Sequence, residues 1–576
     1  MAKKTSSGYQ ETGKNDAAPF TLKIHRGDGM ALLGMNWKKG KPPLDFAGFS
    51  IEYREPGGAK FFPLRNRINF PGASATDPNV RYTLHSPLQL FRWVHFPRNP
   101  DMKGLFTYRV KPVFMNKAGE LSYGESQQCS IALARETYPN ALNVTFTRGF
   151  VASQAFVDYY EKDGPINTIL PGKSTEGLTF KPTHPHAEEA LAWMGFEAYK
   201  SIIQLLDDAV KNKKAKVCMI AYDLNQPEVV NRLKKLKKRL RIIIDDSKEH
   251  GEKESAETEA AKELMKTAGK DNVIRQKMGS LQHNKTIVVD GPRLKKVVCG
   301  STNISWRGLF VQNNNAIILT GANPVARFQE AFENFWTAGE GDDVKFFSGT
   351  KSPTWQSLGL KDIDAKVTFS PHNNSNTVLD SIGKDIDTVE SSLLYSMAFL
   401  AQTGGPIRDA LTRITKNKKI FVYGIADKPV GGISLKSSDS NPQPVSPQVI
   451  AKNIPQPFKK EPSGGGGIRM HHKFLVMDFN TDKARVYMGS YNFSGVADAK
   501  NGENLLVIRD RRVATAYMIE AVRIFDHYEF RLAQAKASTK KKKIELQLPP
   551  ANKKQKPWWD RYYSDKRFIR DRELFS

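Results

Sequence analysis

Residues 283–290 read HNKTIVVD and residues 471–478 read HHKFLVMD, so one chain writes the spacing H-x-K-x-x-x-x-D twice. The flanks repeat as well: the first copy runs on to GSTNIS at 300–305 and the second to GSYNFS at 489–494. A hydrophobic strand alone requires neither a histidine and lysine at its start nor a Gly-Ser-x-Asn turn beyond it. The duplication extends upstream, where NVTFTRGF (143–150) opens one half and KVTFSPHN (366–373) the other. Each opening is followed by a helical stretch, 187–210 or 377–392, and then by an apolar strand, 217–224 or 393–400. A shorter helix comes next, 227–236 or 406–414, and another strand, 240–246 or 419–427, before the H-x-K strand arrives. Strands alternating with helices predict an α/β layered fold, and the same order written twice predicts an internal duplication.

The two halves differ in what precedes the motif. Residues 247–270 are charged and predict an exposed helix, whereas 428–467 are rich in Pro, Ser and Gly and predict a mobile loop. Ahead of both halves, ALLGMNW (31–37), FAGFSIEYRE (46–55), LFRWVHFP (90–97) and LFTYRVKPVF (105–114) alternate apolar with polar residues between turn-rich segments, which predicts an all-β sandwich. The combination of Trp37 with the SIEYRE and FTYRVKPVF strands resembles a fibronectin type III domain, for which an accessory role is expected. At 576 residues the chain is too long for one core. The expected division is a disordered polar leader at 1–20, the sandwich at 21–137, α/β lobes at 138–350 and 351–535, and a basic aromatic tail at 536–576.

Composition narrows the setting. Three widely spaced cysteines with no C-x-x-C pair argue against a disulfide framework and against a cysteine metal site, and a reducing compartment is the simplest home. No run of eighteen apolar residues occurs, and the leader has no apolar segment of the Sec type. A cytoplasmic location, or export without a classical signal, is expected. The net charge of +27 attracts polyanions, either nucleic acid or an acidic membrane surface. In the tail, basic residues interleave with Trp558, Trp559, Tyr562, Tyr563 and Phe568, a pattern that suits stacking on bases or a tail pinned by its rings.

Residues at i and i+2 of a strand share a face, so His283 points with Lys285 and His471 with Lys473. Asp290 and Asp478 fall at odd offset where strand meets turn, which favours an orienting role. The returning chain can bring Asn303 and Asn492 alongside each histidine–lysine pair. Two halves packed about a pseudo-twofold axis would join two imidazoles, two ammonium groups and two amides, a set suited to the non-bridging oxygens of a phosphodiester. One imidazole can attack phosphorus while the other protonates the leaving oxygen; the resulting phosphohistidine is then released by water. The lysines supply the positive charge, so neither metal nor cofactor is called for.

Two such motifs, each followed by G-S-x-N, resemble the phospholipase D superfamily over roughly residues 140–535. The resemblance implies two similar lobes, each a mixed sheet flanked by helices, with a site where they meet. It implies a catalytic set of His283, Lys285, Asp290, His471, Lys473 and Asp478, with His283 the nucleophile and His471 the general acid and base. Ser301, Asn303, Asn314, Ser490, Asn492 and Glu503 are the expected phosphate-binding or orienting residues. Glu503 lies eleven residues beyond Asn492 and Asn314 eleven beyond Asn303. Read within each half, the carboxylate serves His471, raising its pKa as an acid requires, and the amide serves His283.

Both motifs in one chain predict a monomer acting on an anionic substrate. A phospholipid is the leading expectation; nucleic acid is the alternative, and a phosphate-binding scaffold without turnover the third. The remaining histidines are expected outside the chemistry: His184 and His186 in a capping turn, His95 structural in the sandwich, and His372 in a solvated loop.

Overall fold

The computed structural model describes residues 8–74, 77, 79–133, 136–149, 159–338, 354–372, 376–398, 400, 404–426, 470–552 and 554–576. The Pro/Ser/Gly-rich insertion at 428–467 lies outside them. Contacts divide the chain into two compact units, one formed by the N-terminal 135 residues with 515–576, the other by the chain between.

Among the described residues the first unit holds nine strands: β1 (Gln10–Thr12), β2 (Phe20–Arg26), β3 (Ala31–Trp37), β4 (Phe46–Arg54), β5 (Phe62–Pro63), β6 (Arg92–His95), β7 (Leu105–Met115), β8 (Leu121–Tyr123) and β9 (Gln127–Ala132). They form two antiparallel sheets, ordered β1-β2-β3-β6 and β5-β4-β7-β8, with β9 also on β7. Their inward faces share one core containing Phe20, Leu33, Phe49 and Tyr108. The leader is shorter than expected, because Gln10–Thr12 pairs with Lys23–His25 as an edge strand. Backbone pairing there needs no apolar side chain, so composition gave no sign of it.

The C-terminal segment belongs to the same unit. Trp558, Trp559 and Tyr562 are buried in the sandwich core, with Trp558 5.5 Å from both Phe46 and Phe91. The Trp558 indole N–H donates to the Phe46 carbonyl at 2.9 Å, so this amphipathic ring is satisfied at both ends. Arg92 reaches back to Asp526 and Asp571. These rings pin the tail and are not available for stacking on bases.

The second unit carries the duplication. Lobe 1 contains β10 (Leu142–Phe146), β11 (Lys216–Ala221), β12 (Leu240–Asp245), β13 (Val273–Gln276), β14 (Lys285–Gly291), β15 (Leu294–Gly300) and β16 (Asn315–Thr320). Lobe 2 contains β17 (Gln356–Ser357), β18 (Asp364–Ser370), β19 (Ser392–Met397), β20 (Phe421–Ala426), β21 (Lys473–Met477), β22 (Arg485–Gly489) and β23 (Glu503–Arg509). The sheets are ordered β10-β16-β15-β14-β11-β12-β13 and β17-β18-β23-β22-β21-β19-β20. Six strands therefore follow the same path in both, and each lobe adds its own edge strand. Among the described strands of these sheets the β11–β12, β12–β13 and β19–β20 pairs are parallel and the rest antiparallel, so both sheets are mixed. β21, β22 and almost all of β14 are buried, as sheets covered by helices require. The covering helices include Ala187–Lys211 and Pro227–Leu236 in lobe 1, and Thr377–Asp387 and Pro406–Lys416 in lobe 2. The charged insertion forms helix Ala256–Ala268, capped by the Ser255 side chain on Thr258 N–H at 3.1 Å. It is not the exposed helix expected, because its alanine and leucine face (Ala260, Ala261, Leu264) is buried.

Candidate active site

His283 and His471 stand two residues ahead of β14 and β21, where the lobes exchange backbone hydrogen bonds. Gln282 bridges Gly502 in parallel register, and Asn313 bridges Met470 in the same way. Gly502 N–H donates to Leu281 O at 2.9 Å and His471 N–H to Asn313 O at 3.1 Å. Each motif therefore runs alongside the strand entry of the opposite lobe, and side chains meet in step. The His283 Nδ1–H lies 2.8 and 2.9 Å from the two Glu503 carboxylate oxygens, while Asn504 donates to Asn284 Oδ1 at 2.9 Å. On the other seam, His471 Nδ1–H lies 2.9 Å from Asn314 Oδ1, and Asn315 Nδ2 lies 3.3 Å from His472 Nδ1. The His283 and His471 rings are 6.5 Å apart and both are buried.

The pairing expected within each half is thus crossed: the carboxylate serves His283 and the amide serves His471. Spacing along one chain carries no record of which lobe supplies a neighbour.

These bonds set the tautomers. With Nδ1–H given to Glu503, His283 keeps its lone pair on Nε2. Burial lowers the His283 pKa, opposed by the Glu503 charge and reinforced by Lys285 and Lys473. Asn314 is oriented by its Nδ2–H bond to Gly308 O at 2.8 Å, so its oxygen faces His471 and also accepts from Ser301 Oγ at 2.9 Å. The His471 pKa falls well below the ordinary 6.5 through burial first, then Lys473, Lys285 and His283. Its Nε2 is 3.1 Å from the Lys473 ammonium. Lys285 donates to the His283 carbonyl and lies 4.6 Å over the Tyr222 ring. Burial pushes the Lys285 ammonium down to about 8, against the pull of Glu503, Asp223 and Asp245.

The Gly-Ser-x-Asn turns build the supports. Gly300 has φ of +143° and Gly489 of +157°, and a Cβ there would lie 2.4 Å from Asn315 O and 2.2 Å from Asn504 O. Glycine is required at both. Ser301 Oγ accepts from Asn315 N–H at 3.1 Å and Ser490 Oγ from Asn504 N–H at 3.0 Å, so the serines brace the seam strands. Asn303 and Asn492 each keep a buried Oδ1 without a hydrogen-bond partner among the described residues.

Asp290 and Asp478 are not brought to the imidazoles. Asp290 pairs with Lys216 at the far end of β14 from Lys285, is exposed, and forms an ion pair with Lys295. Asp478 is fully buried and accepts from the backbone N–H groups of Glu390, Ser391 and Ser392 at 2.7–3.3 Å, anchoring the start of β19. Identical spacing has been put to different structural uses.

Residues outside the motifs complete lobe 1's side of the site. The Tyr222 ring is 4.7 Å from His283 and 4.5 Å from His250. His250 bonds Asp245 at 2.8 Å and Asp223 at 3.3 Å. Burial pulls its imidazole down, but those two carboxylates outweigh burial and push it up to about 10. Asp223, His250 and Glu257 could bring three ligand atoms within 4.8 Å of one another. His250, however, spends both ring nitrogens on carboxylates, so the cluster is held together by an imidazolium. The Y-D at 222–223 and I-D-D at 244–246 strand ends were the sequence signals for this cluster.

His372 is not solvated: it is buried, with Nδ1 2.6 Å from Asp498 and Nε2 3.0 Å from Thr368 Oγ1. His184 Nδ1 accepts from His186 N–H at 3.1 Å in the turn before the helix. His95 bonds Tyr108 Oη at 3.1 Å within the sandwich.

Residues 202–336 and 384–528 match the profile of the family described as "Cardiolipin synthase, PLD-like domain". A phospholipase D of Rickettsia felis is 38% identical over 48 residues, which is 8% of this chain and 22% of the relative. The chain thus spans about a fifth of the length of the curated relatives it matches. Among solved structures, the phosphatidylserine synthase of Haemophilus influenzae Rd KW20 aligns with TM-score 0.41 at 13% identity, over 60% of this chain and 91% of that one. Nuc from Salmonella typhimurium, a phospholipase D family member, aligns with TM-score 0.20 at 19% identity, over 30% of this chain and 96% of that one.

Proposed function

From a chain that carries two phospholipase D-like regions, we propose a phosphodiesterase that works through a covalent phosphohistidine on His283. The observation that carries this reading is the crossed pairing of His283 with Glu503 and His471 with Asn314, beside two buried lysines. The His283 Nε2 lone pair forms the N–P bond as the P–O bond to the leaving group breaks. Glu503 neutralises the positive charge that develops on the ring. An anionic phosphodiester draws the Lys473 ammonium off His471 Nε2 and raises that imidazole's pKa, so it carries the proton given to the leaving oxygen. Water or an alcohol then loses a proton to His471 and attacks phosphorus, breaking the N–P bond. Lys285 and Lys473 hold the non-bridging oxygens, with the Asn303 and Asn492 amides as further donors.

The proposed substrate is a phospholipid, a reading supported by the family description and by the phospholipase D relatives. With water as acceptor the reaction is hydrolysis; with an alcohol it is phosphatidyl transfer. Both histidines come from one chain, so a monomer completes the site, and we assign the N-terminal sandwich to an accessory module of the fibronectin type III kind. The net charge of +27 favours a second reading, cleavage of nucleic acid by the same chemistry.

The test is turnover in EDTA on phosphatidylcholine and phosphatidylglycerol vesicles, with and without added glycerol, beside single- and double-stranded DNA and RNA. Head-group release or exchange that disappears in His283→Ala is the expected result. Cut nucleic acid with intact lipid would replace the proposed substrate, and loss of all activity in EDTA would overturn the metal-free chemistry.

A further inference from the structure

The first unit has a groove of about 920 Å³ where residues between Arg65 and Ala73, with Asp77, Val80 and Arg81, face the end of the helix Arg511–Thr539 and the segment beyond it. Arg65, Arg67 and Arg81 line one wall and Lys541, Lys542 and Lys543 the other, opposed only by Asp77 and Glu545 among the described lining residues. The lysines do not lie on a loose tail. Leu546 N–H donates to Asn69 O at 2.9 Å, and Gln547 and Gln89 exchange bonds of 2.9 and 2.7 Å, tying the lysine segment to the arginine wall. Two of the arginines are also held in place: the Arg65 guanidinium lies 5.4 Å over Tyr82, and Arg67 lies 5.4 Å over Trp93 and 5.1 Å over Phe530. Six cations thus face one concavity, two of them with their guanidinium groups already held over rings, and guanidinium forks match phosphate oxygens two at a time.

We propose that this groove binds a compact anion carrying several clustered phosphates. A single-stranded nucleic acid would need rings on which to stack its bases. Among the described lining residues Phe70 is the one aromatic, and the tail's Trp558, Trp559 and Tyr562 are buried in the core. Clustered phosphates occur on soluble polyphosphorylated rings and on membrane inositide headgroups, and the groove chemistry is the same for both.

The probes are myo-inositol hexakisphosphate by titration calorimetry on the full chain, and vesicles containing phosphatidylinositol bisphosphate against phosphatidylserine vesicles of equal surface charge. Saturable binding at one site per chain is expected. K541E/K542E/K543E should weaken it by about tenfold or more, the loss of even one charge-assisted bond being worth that much. K39E/K41E/K60E changes the net charge equally through exposed lysines outside the groove and should leave the affinity unchanged. A lysine-dependent preference for the bisphosphate vesicles places the phosphates on a lipid; binding confined to the soluble ring places them on a free ligand. Equal weakening by both triple variants, binding that does not saturate, or displacement of the ring by oligothymidylate at equal phosphate would overturn the proposal.

Discussion

A histidine that gives its Nδ1 proton to a carboxylate and one that gives it to an amide oxygen are different reagents at phosphorus. In the proposed mechanism Glu503 stabilises positive charge on His283, so that the ring can remain bonded to phosphorus. Asn314 offers His471 no such charge and leaves it a neutral acceptor until substrate arrives. Bis(p-nitrophenyl) phosphate separates these roles, because its leaving group departs without a proton. With His471→Ala, a burst of one p-nitrophenolate per site is expected, followed by a stalled phosphohistidine; with His283→Ala, no burst. The reverse pattern would exchange the two roles. Glu503→Gln should slow the burst by about 10- to 100-fold, as loss of an orienting partner typically does. Lys285 adds a pH limb: its ammonium, held at about 8, is lost above that pH, and turnover falls with it. Asp223 is one of the charges that raise this value, so Asp223→Asn should move the alkaline limb to lower pH in a kcat/KM profile. An unmoved limb would mean that another group sets it.

At the scale of elements, one spacing serves two ends. Asp478 accepts three backbone N–H groups that begin β19, whereas Asp290 meets solvent and Lys295. Asp478→Asn should lower stability by about 1–3 kcal/mol, the cost of disturbing a buried charged acceptor, and Asp290→Ala by less than about 0.5 kcal/mol. Thermal unfolding checks both, and a catalytic defect in Asp290→Ala at unchanged Tm would return that residue to the site. The same contrast shows what the sequence made legible. Periodicity located the paired strands and helices within 143–246 and 366–427 because each buries a regular apolar face, whereas β13, β16, β17 and β23 were not read from it; the glycines of both G-S-x-N turns stand where backbone lies too close to a carbonyl for any Cβ. The partner of Glu503 was not legible: the register that sets 283 against 503 and 471 against 314 is a contact between lobes, and local pattern encodes neither. The Tyr222–His250–Asp245 support was missed for a related reason, since its members lie at the ends of separate elements.

For the whole molecule, the division into two compact units separates what the C-terminal rings hold from what the histidines do. Every residue placed around the two imidazoles belongs to the unit between 136 and 514, while Trp558 fills the core of the other beside Phe46 and Phe91. Truncating a buried tryptophan leaves a cavity and an unpaired carbonyl, here that of Phe46, and costs about 3–5 kcal/mol. Trp558→Ala should therefore lower the unfolding temperature of the full chain and increase its susceptibility to proteolysis at the C-terminus. Turnover per active site, titrated by the p-nitrophenolate burst, should stay unchanged, because none of the groups proposed to bind or move a proton at phosphorus has lost a neighbour. If turnover per titrated site fell along with stability, the sandwich and its ring-pinned tail would help set the geometry at His283 and would be more than an accessory.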